Sequence, residues 1–345
     1  MLLVLVAGCS GGGGQDEKAS GSPSASATSE SQVSADASVD PASGDPSLPS
    51  PRSVAGADRV RLSERQPRIL RGFANEPDWL AIGFGSVWTL QGDGSVLRFA
   101  PSGRLVATID ADLYRPPVCQ GLGVSDDAVW ACATNGKLIR IDPATNRVTK
   151  VLTVPKLSEQ GRLVTASGHL WVLTADGAEL TGIGLTDSRP GKPIPLGSYC
   201  TDLAVGSSAA LWVICASDGL LLRVDPQARE ITGRVALPLP RNAAVADHVW
   251  VSFDEGLAQV DPETLDVLAV HDIQPGLSGG VRAYDDEVWI RSEVSPFLTR
   301  IDPASGEAVE VITAPAIRSG GDVVAMDEHL WATAYDDKVV VRLTP

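Results

Sequence analysis

Seven tryptophans recur along this 345-residue chain at positions 88, 130, 171, 212, 250, 289 and 331, separated by 42, 41, 41, 38, 39 and 42 residues. Repetition at a period near 40 residues means that one small unit is copied and stacked, because a unit of that size cannot bury its apolar surface alone. The surroundings repeat too: GSVWTL, DAVWAC, GHLWVL, AALWVI, DHVWVS, DEVWIR and EHLWAT. Before each tryptophan a short polar turn follows an apolar run such as Leu80-Ala81-Ile82, Leu203-Ala204-Val205 or Val323-Val324-Ala325, which reads as a hairpin.

After each tryptophan comes a second turn, typically Asn-Gly or Asp-Gly (Asn135-Gly136, Asp176-Gly177, Asp218-Gly219), and then a third strand such as Lys137-Leu138-Ile139-Arg140-Ile141. That strand ends in Asp142-Pro143, Asp225-Pro226, Asp261-Pro262 and Asp302-Pro303, with Ala100-Pro101 as a weaker copy. Aspartate bonds the backbone ahead of it while proline fixes φ, so this pair turns the chain into a fourth strand such as Val148–Leu152. Four antiparallel strands per unit and seven units specify an all-β, seven-bladed β-propeller. The last unit stops at its third strand, Val339–Leu343, and the missing fourth strand stands at the other end of the chain, Arg68-Ile69-Leu70-Arg71. An N-terminal strand is therefore expected to close the last blade, which leaves no open sheet edge in the ring. The third unit is the poorest copy: Thr186–Gly191 replaces Asp-Pro, so its outer strands should be irregular.

Residues 10–56 are Ser, Ala, Gly, Pro and Asp with almost no large apolar side chain, and cannot offset their ordering entropy. As a flexible tether they would span about 35–40 Å. The expected organisation is a leader at 1–9, this tether at 10–56 and the propeller at 57–345. No run of 18 apolar residues exists, so no membrane-spanning helix is expected. A net charge of −15 excludes a basic nucleic-acid groove and attraction to anionic lipid.

Val6-Ala7-Gly8-Cys9 ends an apolar N-terminal run and resembles the bacterial lipobox. The resemblance implies cleavage before Cys9, a lipid on its thiol, and export to the outer face of the cell membrane, with contact to the membrane through that lipid only. The repeat, with its Leu/Val-Trp-Val strand and Arg-Ile/Val-Asp-Pro turn, resembles the YVTN-type and virginiamycin B lyase-like propellers of exported bacterial proteins. The resemblance implies the fold; for the lyase it implies a histidine acid–base and a metal held by acidic residues. None of His169, His248, His271 and His329 matches that position: three stand beside a repeat tryptophan and His271 falls in an outer strand. The expected function is a binding or protein-interaction module for an unknown protein or envelope ligand, monomeric, without catalytic residue, cofactor or metal. The alternative is an envelope lyase or lactonase using rim carboxylates and a divalent metal.

With Cys9 assigned to lipid, four cysteines remain, an even number for an exported chain. Cys119 and Cys132 flank the first hairpin of the second unit, and Cys200 and Cys215 that of the fourth. With a turn over Gly206–Ala209, Cys200 and Cys215 oppose each other directly, and a hairpin centred on Ser125-Asp126 does the same for Cys119 and Cys132, so two disulfides are expected. The loops leading into the inner strands carry Glu76 and Asp78, Arg115, Glu159 and Arg162, Asp202, Arg241 and Asn242, Arg282, Arg318 and Asp322; the second-to-third loops add Arg291 and Glu293. Asp78, Arg115, Arg162, Asp202, Arg241, Arg282, Arg318 and Asp322 are the candidate ligand rim. Two readings stay open: a surface for a polar or zwitterionic ligand or a peptide, and a ring of solvated, mutually paired charges. The repeat tryptophans are expected in the core between sheets.

Overall fold

The computed structural model describes residues 48–110, 121–133, 136–206, 208–254, 256–273, 279–284, 286–317 and 319–344. Among them are seven sheets, each with four antiparallel strands, the blades of a β-propeller; in six of them the four strands follow one another in the chain. Blade one runs through Pro77–Gly83, Ser86–Gln91, Val96–Phe99 and Leu105–Ile109. The inner strands of blades two to seven are Leu122–Val124, Val164–Ala166, Asp202–Val205, Asn242–Val245, Val281–Ala283 and Val323–Met326. Each inner strand touches the next, and the last touches the first, so the ring closes around a central channel.

The repeated apolar-Trp-apolar sequence explains the stacking. Successive side chains of a strand point to opposite faces, so the tryptophan enters one inter-blade core and its neighbours the other. Trp88 packs with Val129 and Ala131 of blade two, Trp212 with Val249 and Val251 of blade five, and Trp289 with Ala332 and Val341 of blade seven. Trp331 completes the circle against Val87, Leu97 and Phe99 of blade one. All seven repeat tryptophans are buried, as expected.

An arginine faces the tryptophan across the second and third strands in five blades: Trp88↔Arg98, Trp130↔Arg140, Trp212↔Arg223, Trp289↔Arg300 and Trp331↔Arg342. Arg98 lies 4.8 Å from the Trp88 ring centroid and Arg342 lies 6.0 Å from that of Trp331, within cation–π range. Three of these arginines also donate to the carbonyl of the Asp-Pro turn, or its weaker copy, in the next blade: Arg98 to Pro143, Arg223 to Pro262 at 2.6 Å, and Arg342 to Pro101 at 2.7 Å. The turns themselves form as expected, with Asp142 Oδ1 accepting the Ala144 N–H at 2.9 Å and Asp261 Oδ1 accepting that of Glu263 at 2.8 Å. The Thr145 hydroxyl and then the Ala144 N–H hold the exposed Asp142 carboxyl below the ordinary carboxylate range, and the Thr264 N–H and then that of Glu263 do the same for Asp261.

The N-terminal strand closes the ring. Strand β1 is Asp58–Arg61 and β2 is Arg68–Leu70; β2 pairs antiparallel with Val339–Leu343 as the outer strand of blade seven. Strand β1 adds what the sequence did not announce, a parallel fifth strand on Glu307–Thr313 of blade six. With one apolar residue, Asp-Arg-Val-Arg carries no alternating signal. Leu62, between them, is buried in the core of blades six and seven. Further upstream, Arg52 donates its N–H to Val270 O at 2.7 Å and accepts that of Asp272 at 2.8 Å, along the edge of blade five. Leu48 and Val54 pack on the cores that flank this edge, so contacts with the propeller begin before residue 57. Blade three has a regular third strand, Glu179–Gly184, and a fourth of only two residues, Ile194–Pro195.

Cys200 and Cys215 form a disulfide. The hairpin geometry behind that expectation needs correction: Val205 pairs with Leu211, one residue out of the expected register, because the turn is longer, and Cys200 lies before the paired strand. In blade two, Val124 pairs with Val129, so the hairpin centres on Asp126-Asp127 and Cys132 faces Gly121, whose N–H donates to its Sγ at 2.8 Å. Cys119 lies outside the described residues, as does Cys9.

Candidate functional site

The blade repeat brings six of the expected rim residues, Asp78, Arg162, Asp202, Arg241, Arg282 and Asp322, with Asn242, to the same end of the ring. Asp78 is the second residue of its inner strand, Asp202 and Asn242 are first in theirs, Arg282 is second, and Arg162 and Asp322 stand just before theirs. Residues 162, 202, 242, 282 and 322 are spaced 40 apart, which places Arg, Asp, Asn, Arg and Asp on five consecutive blades.

Each arginine grips the aspartate of the following blade. Arg162 Nε donates to Asp202 Oδ1 at 3.0 Å while its Nη2 reaches Asp202 Oδ2 and the Ala243 carbonyl of blade five. Arg282 Nη2 reaches Asp322 Oδ2, and also the Leu80 carbonyl of blade one at 3.4 Å. Asp322 Oδ2 accepts the Leu80 N–H at 3.0 Å, and Thr333 Oγ1 accepts the Asp322 N–H at 2.8 Å. Arg162 lies 5.5 Å from the Trp79 ring centroid, across the channel in blade one. Both aspartates are almost completely buried and both arginines nearly so. Of the candidate ring, Arg162, Asp202, Arg282 and Asp322 are thus not solvated: they form two pairs inside the channel, bidentate or supported by backbone groups.

The arginines divide the channel. On one side lies a tube of about 260 Å³ with apolar walls, including Ile82, Val124, Val164, Val205 and Val245. On the other lies a vestibule of about 520 Å³, lined by Asp78, Trp79, Asn242, Asp322, Glu293 and Asp336, with Arg241 and Tyr335 among its other residues. Arg241 is held at the rim by Asp254, Nη2 to Oδ1 at 3.0 Å. Asp78 differs from the other two channel aspartates. No hydrogen bond or ion pair from the described residues reaches its carboxyl, and burial, reinforced by the charge of Asp322, pushes its pKa up to about 7.

Arg115 and Arg318 lie outside the described residues. Arg291 is not on the rim. The second strand of blade six runs through it, and its guanidinium is buried against blade seven, donating to Thr333 O at 3.1 Å and to the Ser292 and Ser319 carbonyls. Sequence reasoning missed two glycine pairs that line the vestibule, Gly279-Gly280 and Gly320-Gly321. A Cβ on Gly321 would come within 2.2 Å of the Thr333 carbonyl oxygen, so only glycine lets these two segments pass. Their signal was available: Ser-Gly-Gly occurs at 278–280 and again at 319–321, one repeat apart.

No protein-family model matches this chain, and no curated protein matches it in sequence. Its structure matches that of a catalytically inactive virginiamycin B lyase from Staphylococcus aureus with quinupristin, at 17% identity and a TM-score of 0.67 over 81% of this chain and 99% of that one. A streptogramin B lyase structure aligns at 15% identity and 0.68, over 81% and 97%. U3-55K aligns at 13% and 0.69, over 81% and 98%. The likeness is one of fold. Lyases and a protein that is not described as one share it about equally well, so activity has to be argued from the vestibule. Its lining includes no histidine, and among the described residues no group of three or more His, Cys, Asp or Glu is placed to hold a metal ion.

Proposed function

We propose that this chain is an envelope binding module: exported, anchored to the outer face of the cell membrane through lipid on Cys9, and holding its ligand in the vestibule through a cationic group. The observation that carries the reading is the Asp78 carboxyl. The other two channel carboxylates, Asp202 and Asp322, already have guanidinium partners that also plug the channel, whereas Asp78 faces a polar cavity with none from the described residues. A fold gains no stability from a half-buried carboxyl without a counter-charge; a ligand that brings an amine or guanidinium supplies it. The tether would hold the cavity clear of the membrane surface.

Two experiments test this. Butylguanidinium, the smallest probe of the required chemistry, should bind the wild-type chain at millimolar concentration and not the Asp78→Asn variant. Because a cation favours ionised Asp78, binding near pH 7 should release protons, seen as different calorimetric heats in phosphate and Tris. Equal binding by Asp78→Asn would overturn the assignment. For the anchor, chain made in a bacterial host with its own leader should carry lipid on Cys9 by mass spectrometry, and Cys9→Ala should move to the soluble fraction; unmodified Cys9 would sink that part.

A further inference from the structure

Eight large apolar side chains stand exposed among the described residues, and their distribution is uneven. Ile69, Leu105 and Leu268 lie in or at the outer strands, as does Val151, and Phe84 lies in a hairpin turn at the far face. The other three, Tyr199 (45% exposed), Leu239 (44%) and Val294 (55%), all belong to loops on the vestibule face. Each is within two residues of a vestibule residue, Thr201, Arg241 and Glu293 respectively, on the consecutive blades four, five and six.

Two of the three are held out by their backbone. Tyr199 adjoins Cys200, whose disulfide to Cys215 pins the loop to the second strand of blade four. Leu239 sits between Pro238 and Pro240 with φ of 47°, a left-handed conformation that costs a leucine on the order of 1 kcal/mol and points to a constraint other than local preference. Apolar side chains carried on constrained loops beside a polar cavity can be covered without the cost of ordering those loops, as an interaction surface requires.

The charge of the vestibule selects the partner. Among the described residues its lining holds four carboxyl groups, Asp78, Glu293, Asp322 and Asp336, against one guanidinium, Arg241; Arg282 engages Asp322, Asp254 engages Arg241 and Glu293 is itself engaged, so Asp78 and Asp336 are the carboxyls that face a ligand. The whole chain carries −15, so nucleic acid and anionic lipid are repelled. We infer that this face docks an extended peptide segment of a partner protein, with one Lys or Arg side chain entering the vestibule and flanking apolar side chains covering Tyr199, Leu239 and Val294. The inference rests on the cation-binding reading of the vestibule and extends it outward. The elevated pKa of Asp78 agrees with it, since the arriving cation replaces the proton.

The test uses the full chain and fluorescein-labelled heptapeptides in an anisotropy titration. Ala-Leu-Ala-Arg-Ala-Leu-Ala should bind at least tenfold more tightly than the same peptide with Glu in place of Arg, and at least fivefold more tightly than the one with Ser in place of both leucines. Tyr199→Ser combined with Leu239→Ser should abolish the preference for leucine while leaving butylguanidinium binding as it was. Asp78→Asn should weaken the Arg peptide about tenfold. All three positions are accessible to the cavity or to solvent, and retained far-ultraviolet circular dichroism and tryptophan emission would show that the variants fold. If butylguanidinium binds but leucines add nothing, the docking surface is overturned and the vestibule reading stands. If the Glu peptide binds as well as the Arg peptide, or if no probe binds, both fall.

Discussion

Ionised Asp78 should cost the native state stability in a defined pH window, and replacing it by asparagine should return that stability. Its carboxyl titrates near 7 in the folded chain, raised by burial and then by Asp322, against about 4 when unfolded. Below about pH 4 the group is protonated in both states and contributes no difference. Between about 4 and 7 the native state keeps a proton that the unfolded chain has lost, so stability falls as pH rises, and above 7 the loss is complete. The displacement corresponds to about 4 kcal/mol at most; because the carboxyl opens onto a solvent-filled cavity, screening reduces this to roughly 2 kcal/mol. Asp78→Asn keeps the shape and removes the charge. Urea unfolding followed by tryptophan fluorescence at pH 4, 5, 6, 7 and 8, at constant ionic strength, should give a variant about 2 kcal/mol more stable than wild type at pH 8, with the gap closing towards pH 4. A gap independent of pH, or a variant less stable at pH 8, would refute the reasoning.

The buried His271 should show the opposite slope. Burial, and then the charge of Arg52, hold its pKa at about 4, so its contribution is complete above about pH 6.5 and lost as pH falls towards 4; His271→Phe should flatten that limb, by roughly 2–3 kcal/mol, in the same unfolding series. Arg342→Met should lower stability by about 2 kcal/mol, since its bond to Pro101 O ties blade seven to blade one, and a change below about 0.3 kcal/mol in the urea midpoint analysis would show that this bolt is idle. Replacing Cys200 and Cys215 by serine opens a loop of 15 residues and should cost about 3 kcal/mol in the same urea series; a variant as stable as the wild type would show that this bridge contributes nothing.

The tryptophan spacing carried the fold, because a side chain that large, flanked by apolar neighbours on a strand, is buried between sheets, and six intervals of 38 to 42 residues make seven copies of one sheet, which a ring accommodates. Blade closure was legible for the same reason: a missing strand at one terminus and a spare strand at the other are complementary. The composition of the rim was legible as a set of residues; its pairing was not, although Arg162, Asp202, Asn242, Arg282 and Asp322 at intervals of 40 carried the signal.

Only the tertiary structure decided which charges are spent. Whether an arginine at the mouth of a channel faces solvent, a ligand or the aspartate of the next blade depends on distances across the ring, and these join residues from every part of the chain. Parallel β1 on blade six and buried Arg291 were settled the same way, by partners more than 200 and about 40 residues away. Repetition fixes what every blade has in common. The vestibule is made of the positions where the blades differ, and the contrast between Asp78, which no described residue pairs, and its neighbour Asp322, which Arg282 pairs, exists only once the ring has closed, because desolvation and neighbouring charge are properties of the assembled channel.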